Sequence, residues 1–330
     1  VIEDNPYTLL RVAPDMLFGT ADTLAEHLGI NGSDTRRLEA GLEWILRSLD
    51  NQGHTCLPVD QLIGRLDDLL QTDVDDIANF IESLLEQGAL YSTYYEDILY
   101  IYPPEMYVSE VEGVHYTREF LLEADPIALD ISSFIEKFER DNYITFGDAQ
   151  KEAIQLSFFE KFSLITGGPG TGKTTIIKAI VMILKDILDL SHEDIALLAP
   201  TGRASKRMAE SVGVPAYTIH KFLKWNKETE SFLIDEYNKS QEKVVIVDES
   251  SMIDIFLFSS LLKGLKLNVK LILVGDANQL PSIGPGDLLN DLLHISTIKN
   301  KYLNTIYRVK EGSYITYLAN DIKNRKHFDK

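Results

Sequence analysis

One cysteine, Cys56, in 330 residues leaves no partner for an internal disulfide and no cysteine metal cluster. Such sparing use fits the reducing cytoplasm, and Cys56 itself reads as a small, half-buried apolar residue. No stretch approaches 18 uninterrupted apolar residues, so no membrane-spanning helix is expected. The start, Val1-Ile2-Glu3-Asp4-Asn5-Pro6, has neither the basic end nor the apolar core of a signal peptide. It also lacks an initiating Met, so the sequence reads as a fragment or a processed chain. The histidines are scattered without metal-ligand spacing, which argues against structural zinc. There is no internal repeat and no low-complexity tract. With 45% hydrophobic and 25% charged residues, disorder is excluded as the dominant state.

Positive charge is scarce in one half only. Residues 1–150 hold 8 Lys and Arg against 30 Asp and Glu, a net of −22, whereas residues 151–330 hold 24 against 21, a net of +3. Any phosphate-bearing ligand is therefore expected on the second half.

The first 100 residues predict short helices and a hairpin. Asp34 precedes a helical period of Leu38, Leu42, Ile45, Leu46 and Leu49. After Gly53, a short extended piece at Thr55-Cys56-Leu57 leads to Pro58 and a helix through Leu62, Leu66, Leu69 and Leu70. A third helix starts near Asp73, carries Ile77, Phe80, Ile81, Leu84 and Leu85, and stops at Gly88. Strands Ala89–Thr93 and Ile98–Tyr102 then flank Tyr94–Asp97. That order is the order of a winged helix. Its recognition helix would carry Asp73, Asp75, Asp76, Glu82 and Glu86, which repel a nucleic-acid backbone, so the domain reads as a packing or protein-docking module. Residues 101–144, broken by Pro103-Pro104 and Pro126, read as a helical connector.

From residue 145 the pattern becomes strands alternating with helices. Apolar runs at 162–166, 195–199, 244–248 and 269–275 each lead into a polar loop and a helix. The prediction is an α/β domain, a parallel sheet with helices on both faces, whose ligands bind at the carboxyl ends of the strands.

Three of those strand ends carry chemistry. Gly167-Gly168-Pro169-Gly170-Thr171-Gly172-Lys173-Thr174 matches G-x-x-x-x-G-K-[ST], between strand Phe162–Thr166 and a helix from Thr174. Glycines let successive backbone N–H groups turn in around phosphate oxygens at a helix's positive end. Lys173 is expected on the β- and γ-phosphates of ATP, and the Thr174 hydroxyl on Mg²⁺. Some 75 residues on, Val244–Val247 end in Asp248-Glu249, with Asp248 suited to the metal's hydrated shell and Glu249 to orienting and deprotonating the attacking water. The third, Leu273–Ser282, holds Gln279, an uncharged candidate sensor of the γ-phosphate or else a turn amide. Arg308 could neutralise transition-state charge. Between the first and second signals, Ala199–Arg207 and Thr218–Trp225 carry cations and hydroxyls, the second interleaved with Phe222 and Trp225. Such surfaces track single-strand phosphates and stack bases, or else are solvated helix faces and core.

In this order, residues 145–325 resemble a superfamily 1 helicase of the RecD-like type. Gly167–Thr175 is similar to its motif I, Leu198–Ser205 to motif Ia, Thr218–Leu223 to Ib, Val247–Met252 to II and Gly275–Gly286 to III. Asn304–Arg308 is similar to motif IV, departing from the usual Phe-Arg-Gln at Tyr307 and Val309. Arg203 after Thr201-Gly202 fits the RecD-like branch better than Pif-type relatives. The resemblance implies an adenine-reading role for Gln150, nucleotide contacts from Gly168, Pro169, Gly170, Thr171, Gly172, Lys173, Thr174 and Thr175, and metal ligation by Thr174 and Asp248. It implies DNA contacts at Pro200, Thr201, Arg203, His220 and Lys221, and catalytic roles for Lys173, Glu249, Gln279 and Arg308. The acidic half is similar to the accessory region of the longer, stand-alone members. There Asn5-Pro6-Tyr7 and Phe18–Ile30 echo a helix-hairpin-helix segment, with Asp15-Met16-Leu17 in place of the hairpin glycines.

The resemblance implies a motor moving 5′→3′ along single-stranded DNA and separating duplex with ATP and Mg²⁺. It implies a second RecA-like domain bearing motifs V and VI; neither is found, and a helix at Gly312–Lys323 reads as its start. The expected organisation is an accessory domain at 1–100, a connector at 101–144 and a first RecA-like motor domain at 145–330, with 308–330 opening the second. Rival readings are the motor subunit of a helicase–nuclease complex, with its partner on the acidic half, and an ATP-controlled binding module without strand separation.

Overall fold

Apolar runs with no polar face must be covered on both sides. In the computed structural model, which describes residues 4–13, 15–122 and 130–305, four such runs form the centre of one sheet. Its strands are β1 (Phe162–Gly167), β2 (Ile195–Ala199), β3 (Ala216–Thr218), β4 (Val244–Val247), β5 (Lys270–Gly275) and β6 (Lys299–Leu303). They run in the order β6-β1-β5-β4-β2-β3, every neighbouring pair parallel. The register sets Thr166 beside Gly275, and Leu273 and Leu198 beside Val247, so the central strands end level. The loops after β1, β5, β4 and β2 thus share one edge.

On one face of the sheet Ile165, Leu197, Ile246, Ile272 and Val274 pack with helices Ser132–Asn142, Asp148–Phe159, Lys173–Leu188 and Gly202–Val212 in one buried cluster. The alternate residues Leu164, Leu198, Val245, Val247 and Leu273 are equally buried on the other face. The expected parallel sheet is present. The edge strands β3 and β6 are additions, because Ala216-Tyr217-Thr218 and Lys299–Leu303 lack a continuous apolar run.

The chain divides into two compact units. One holds residues 115–253, 257–281 and the segment from 288 onward; the other holds residues 1–114 with the short segments 254–256 and 282–287. The division falls within helix Pro104–Leu122, inside the stretch read as a connector.

Residues 1–114 form helices Phe18–His27, Thr35–Gln52, Val59–Leu70 and Val74–Glu86, then a hairpin. Leu57-Pro58 pairs with the hairpin's second strand, completing a three-stranded antiparallel sheet. Leu38, Leu42, Ile45, Leu49, Leu62, Leu66, Ile77 and Ile81 share one core, as their spacing predicts. Asp73 accepts the Asp75 N–H at 2.9 Å and caps its helix. The hairpin strands are Tyr91–Tyr95 and Ile98–Tyr102, so the connection is Glu96-Asp97 rather than Tyr94–Asp97. Both turn residues have positive φ, 47° and 62°, as a two-residue turn matching the strand twist requires.

One charged group is buried in this core. The Arg37 guanidinium donates to both Asp22 carboxylate oxygens at 2.8 Å and to Thr72 Oγ1 at 3.0 Å, while Tyr7 donates its hydroxyl to Asp22 at 2.6 Å. Burial works against the Asp22 charge, yet these hydrogen bonds hold its carboxyl below the ordinary value. The fork ties the start of the chain to two helices and to the turn at Thr72.

Candidate nucleotide-binding site

Strand β1 is buried along its whole length and delivers the glycine-rich loop to the shared edge. The helix after it starts at Lys173, and Gly172 precedes it at φ +88°. A Cβ on Gly172 would lie 2.5 Å from Gln150 Nε2, so glycine is required there for conformation and for space. Gln150 is itself buried. Its Nε2 donates to Thr171 O at 2.9 Å and its Oε1 accepts the Gly147 N–H at 3.0 Å. Both ends of the expected adenine reader therefore hold backbone, where Gln150 braces the phosphate loop against helix Asp148–Phe159.

Thr171 Oγ1 donates to Gly168 O at 2.8 Å, closing the loop on itself. The Lys173 ammonium donates to Gly167 O at 2.6 Å and Gly168 O at 3.1 Å. Thr174 and Thr175 follow in the helix's first turn, the former half-buried and the latter exposed.

At the end of β4, Asp248 N–H donates to Leu198 O at 2.9 Å, and the Asp248 carboxylate accepts the Glu249 N–H at 2.9 Å. Burial pushes the Asp248 carboxyl up to about 6; the Glu249 N–H that it accepts opposes the rise, the Glu249 charge adds to it, and Lys173 and Arg207 oppose it. Glu249 sits at φ +54°, a setting that costs a side-chain-bearing residue of order 1–3 kcal/mol and recurs at functional sites. The hydroxyls of Ser250 and Ser251 behind it are buried and unpartnered among the described residues. After β5, the buried Asp276 accepts the Asn278 N–H at 3.0 Å and its carbonyl accepts the Gln279 N–H at 3.0 Å. This tight turn leaves the Gln279 side chain exposed at the cleft.

Lys173, Thr174, Asp248, Glu249 and Gln279 line one cleft of about 310 Å³, together with Pro169, Gly170 and Gly172. Its far wall is Ala204, Arg207, Met208 and Ser211, one face of helix Gly202–Val212. Sequence reasoning set Arg207 on a solvated or strand-tracking face; the orientation of helix Gly202–Val212 brings it to the cleft. A second cleft of about 330 Å³ shares Thr174 and Ser211 and adds Phe138, Asn142, Ile144, Thr175 and Lys178. None of those from the preceding helix was expected. Arg308 lies outside the described residues, as do Tyr307, Val309 and the helix read at Gly312–Lys323.

The residues expected at DNA gather on the neighbouring strand ends. Pro200 and Thr201 follow β2, and Thr201 Oγ1 accepts the Ala204 N–H at 3.2 Å, capping the helix that carries exposed Arg203. His220 and Lys221 follow β3 on the single turn Ile219–Phe222, capped by Thr218. The His220 ring lies 6.3 Å from Trp225 and 5.7 Å from Phe232, on the small hairpin of Trp225-Asn226 and Ser231-Phe232. The Lys221 ammonium lies 4.9 Å above the Tyr217 ring. Phe222 and Leu223 are core, with Leu223 fully buried, and offer no stacking surface.

A parallel sheet presenting a glycine-rich phosphate loop, an acidic strand end and a polar loop along one edge defines a RecA-like P-loop domain. Residues 150–285 match the family model of an AAA domain, and residues 1–56 match that of the ATP-dependent RecD2 DNA helicase HHH domain. The RecBCD enzyme subunit RecD of Haemophilus influenzae is 33% identical over 188 residues, 51% of this chain and 29% of that one. The ATP-dependent RecD2 DNA helicase of Deinococcus radiodurans is 28% identical over 321 residues, 93% of this chain and 43% of that one. Among solved structures, the Pif1 helicase from Candida albicans aligns over 55% of this chain and 44% of that one, with 23% identity and a TM-score of 0.39. The matched segments are thus similar to an N-terminal HHH segment and an AAA domain of RecD-like proteins, and the chain spans less than half the length of these relatives. Among the described residues no helix is long and apolar enough to cross a membrane.

Proposed function

We propose that this chain is the nucleotide-binding front part of an ATP-dependent DNA helicase that moves 5′→3′ on single strands. The observation that carries the reading is one cleft holding Lys173, Thr174, Asp248, Glu249 and Gln279, drawn from three adjacent strand ends. Lys173 exchanges its loop carbonyls for the β- and γ-phosphates of ATP. Glu249 orients the attacking water and takes its proton as the oxygen bonds to the γ-phosphorus and ADP leaves. Gln279 reads the γ-phosphate. Gln150 keeps the loop in shape, and the cleft at Phe138, Asn142 and Ile144 is the place for the nucleoside.

The donor set fits Mg²⁺: a hydroxyl at Thr174 and a carboxylate at Asp248 are hard oxygen ligands. The raised Asp248 carboxyl also marks a buried charge in want of a cation. Bound there, the ion would neutralise phosphate charge. Pro200, Thr201, Arg203, His220 and Lys221 form the track for single-stranded DNA, with Trp225 rather than Phe222 as the exposed ring beside it. A relative that aligns across both units is the ATP-dependent RecD2 DNA helicase of Deinococcus radiodurans, which favours that reading over a subunit of a helicase–nuclease complex. A protein partner on the acidic half belongs to the second reading. ATP hydrolysis with and without single-stranded DNA, on this chain and on a version extended downstream, is the test. Turnover that DNA leaves unchanged in both would favour an ATP-controlled binding module.

A further inference from the structure

Arg207 stands on the cleft wall with its guanidinium 3.7 Å from Glu249 Oε1. Both backbones are fixed. The Arg207 helix is anchored by buried Ala204, Ser205, Met208 and Val212, and Glu249 is set by the end of β4 at φ +54°. Between them the Arg207 side chain is 64% exposed and long enough to swing. An ion pair with so exposed a cation adds little to stability, so stability does not explain it. Such a pair is also weak enough to be exchanged. The guanidinium fork fits a phosphate as well as it fits a carboxylate. Phosphate is expected on two sides of Arg207: at Lys173 in the same cleft, and at Arg203, four residues back and one helical turn away on the same face.

We propose that Arg207 is a positioning residue for Glu249, holding the carboxylate against the helix until a phosphate takes the guanidinium and frees the base. The inference rests on the reading of Glu249 as the group that takes the water's proton. Because Arg207 serves the carboxylate or the phosphate but not both, phosphate binding and release of Glu249 are linked. A helix that touches both the strand track and the cleft thereby gates hydrolysis.

The experiment titrates two probes separately, a non-hydrolysable ATP analogue with Mg²⁺ and a single-stranded oligonucleotide. The proteins are the wild type, Arg207→Ala, Arg207→Lys, Glu249→Gln and the double variant Arg207→Ala with Glu249→Gln. Glu249→Gln releases the guanidinium and should tighten one probe by about three- to tenfold, a gain that disappears when residue 207 is alanine. The probe that shows it names the source of the phosphate. In parallel, Arg207→Ala should raise turnover without DNA and shrink the stimulation by DNA, with Arg207→Lys between it and the wild type. Additive effects of the two substitutions on both probes overturn the proposal. So does an Arg207→Ala protein whose nucleotide binding and turnover both fall, with the binding loss persisting beside Glu249→Gln; Arg207 is then a direct phosphate ligand. A wild type that binds no nucleotide sinks the reading of the cleft, and this inference with it.

Discussion

Asp248 and Glu249 are neighbours with opposite tasks, and their surroundings separate them. Asp248 is held up near 6 because burial disfavours its charge. A carboxyl raised above its unfolded value near 4 binds its proton more tightly when folded. In the absence of a cation, this group therefore costs stability above pH 6, and the cost fades as pH falls from 6 towards 4. Thermal unfolding of the metal-free protein should show Asp248→Asn to be more stable than the wild type at pH 7.5, by on the order of 1–2 kcal/mol, and equal to it near pH 4. Equal stability at both would mean Asp248 is not charged against its surroundings. Metal-supported nucleotide binding should weaken below pH 6 for the same reason. Glu249 faces the cleft. Glu249→Gln keeps the shape and loses the base, so nucleotide binding should persist while turnover falls by about 10² or more. Near-normal hydrolysis in that variant would move the base elsewhere. Lys173→Ala should lose tight ATP binding instead, since the cradle keeps its amides but not its cation.

The strand–loop–helix element around Gly172 is set by geometry more than by charge. Its φ of +88° disfavours any Cβ, and the nearest atom belongs to the Gln150 amide that braces the loop. Gly172→Ala should displace that amide, weaken nucleotide binding at least tenfold and lower the melting temperature. A Gln150→Ala partner substitution should relieve the clash but leave the strain of φ in place, so rescue would be partial. Full rescue would assign the whole defect to the clash. This element was legible because a fully apolar strand, a glycine run and an amphipathic helix follow one another with no ambiguity of period. Strands β1, β2, β4 and β5 stood out for the same reason, each buried on both faces. Edge strands β3 and β6 did not, since Tyr217, Lys299, Asn300 and Tyr302 face outward and break the run. Gln150 was found by motif, but its bonds to Thr171 O and the Gly147 N–H are set by packing that a motif does not give. Phe138, Asn142 and Ile144 come together with Thr175 only through packing of two helices against the sheet, which no local pattern encodes. Arg207 was visible as a cation, and only the orientation of its helix shows which side it serves.

Charge is distributed by unit on the scale of the whole molecule. Residues 1–114 contain five arginines, no lysine and 22 acidic residues. Four of those arginines are already paired within the unit, Arg37 with Asp22, Arg36 with Asp34 at 2.7 Å, and Arg11 and Arg47 with Glu43. A backbone phosphate meets repulsion there, whereas Arg203 and Lys221 are exposed on adjacent strand ends of the other unit. Binding of a single-stranded oligonucleotide should therefore fall with salt through a few contacts. Arg203→Ala and Lys221→Ala should each weaken it at all sequences tested and reduce the salt slope by about 1. Arg11→Ala and Arg47→Ala, which remove exposed cations paired to Glu43, serve as the comparison and should leave affinity and slope unchanged. The contrast is sharp because all four substitutions alter net charge by the same amount. A general electrostatic effect of the chain's −19 would move them together, whereas a local track moves only the first two. Equal losses from all four would point to that general effect and overturn the division of labour drawn from the charges.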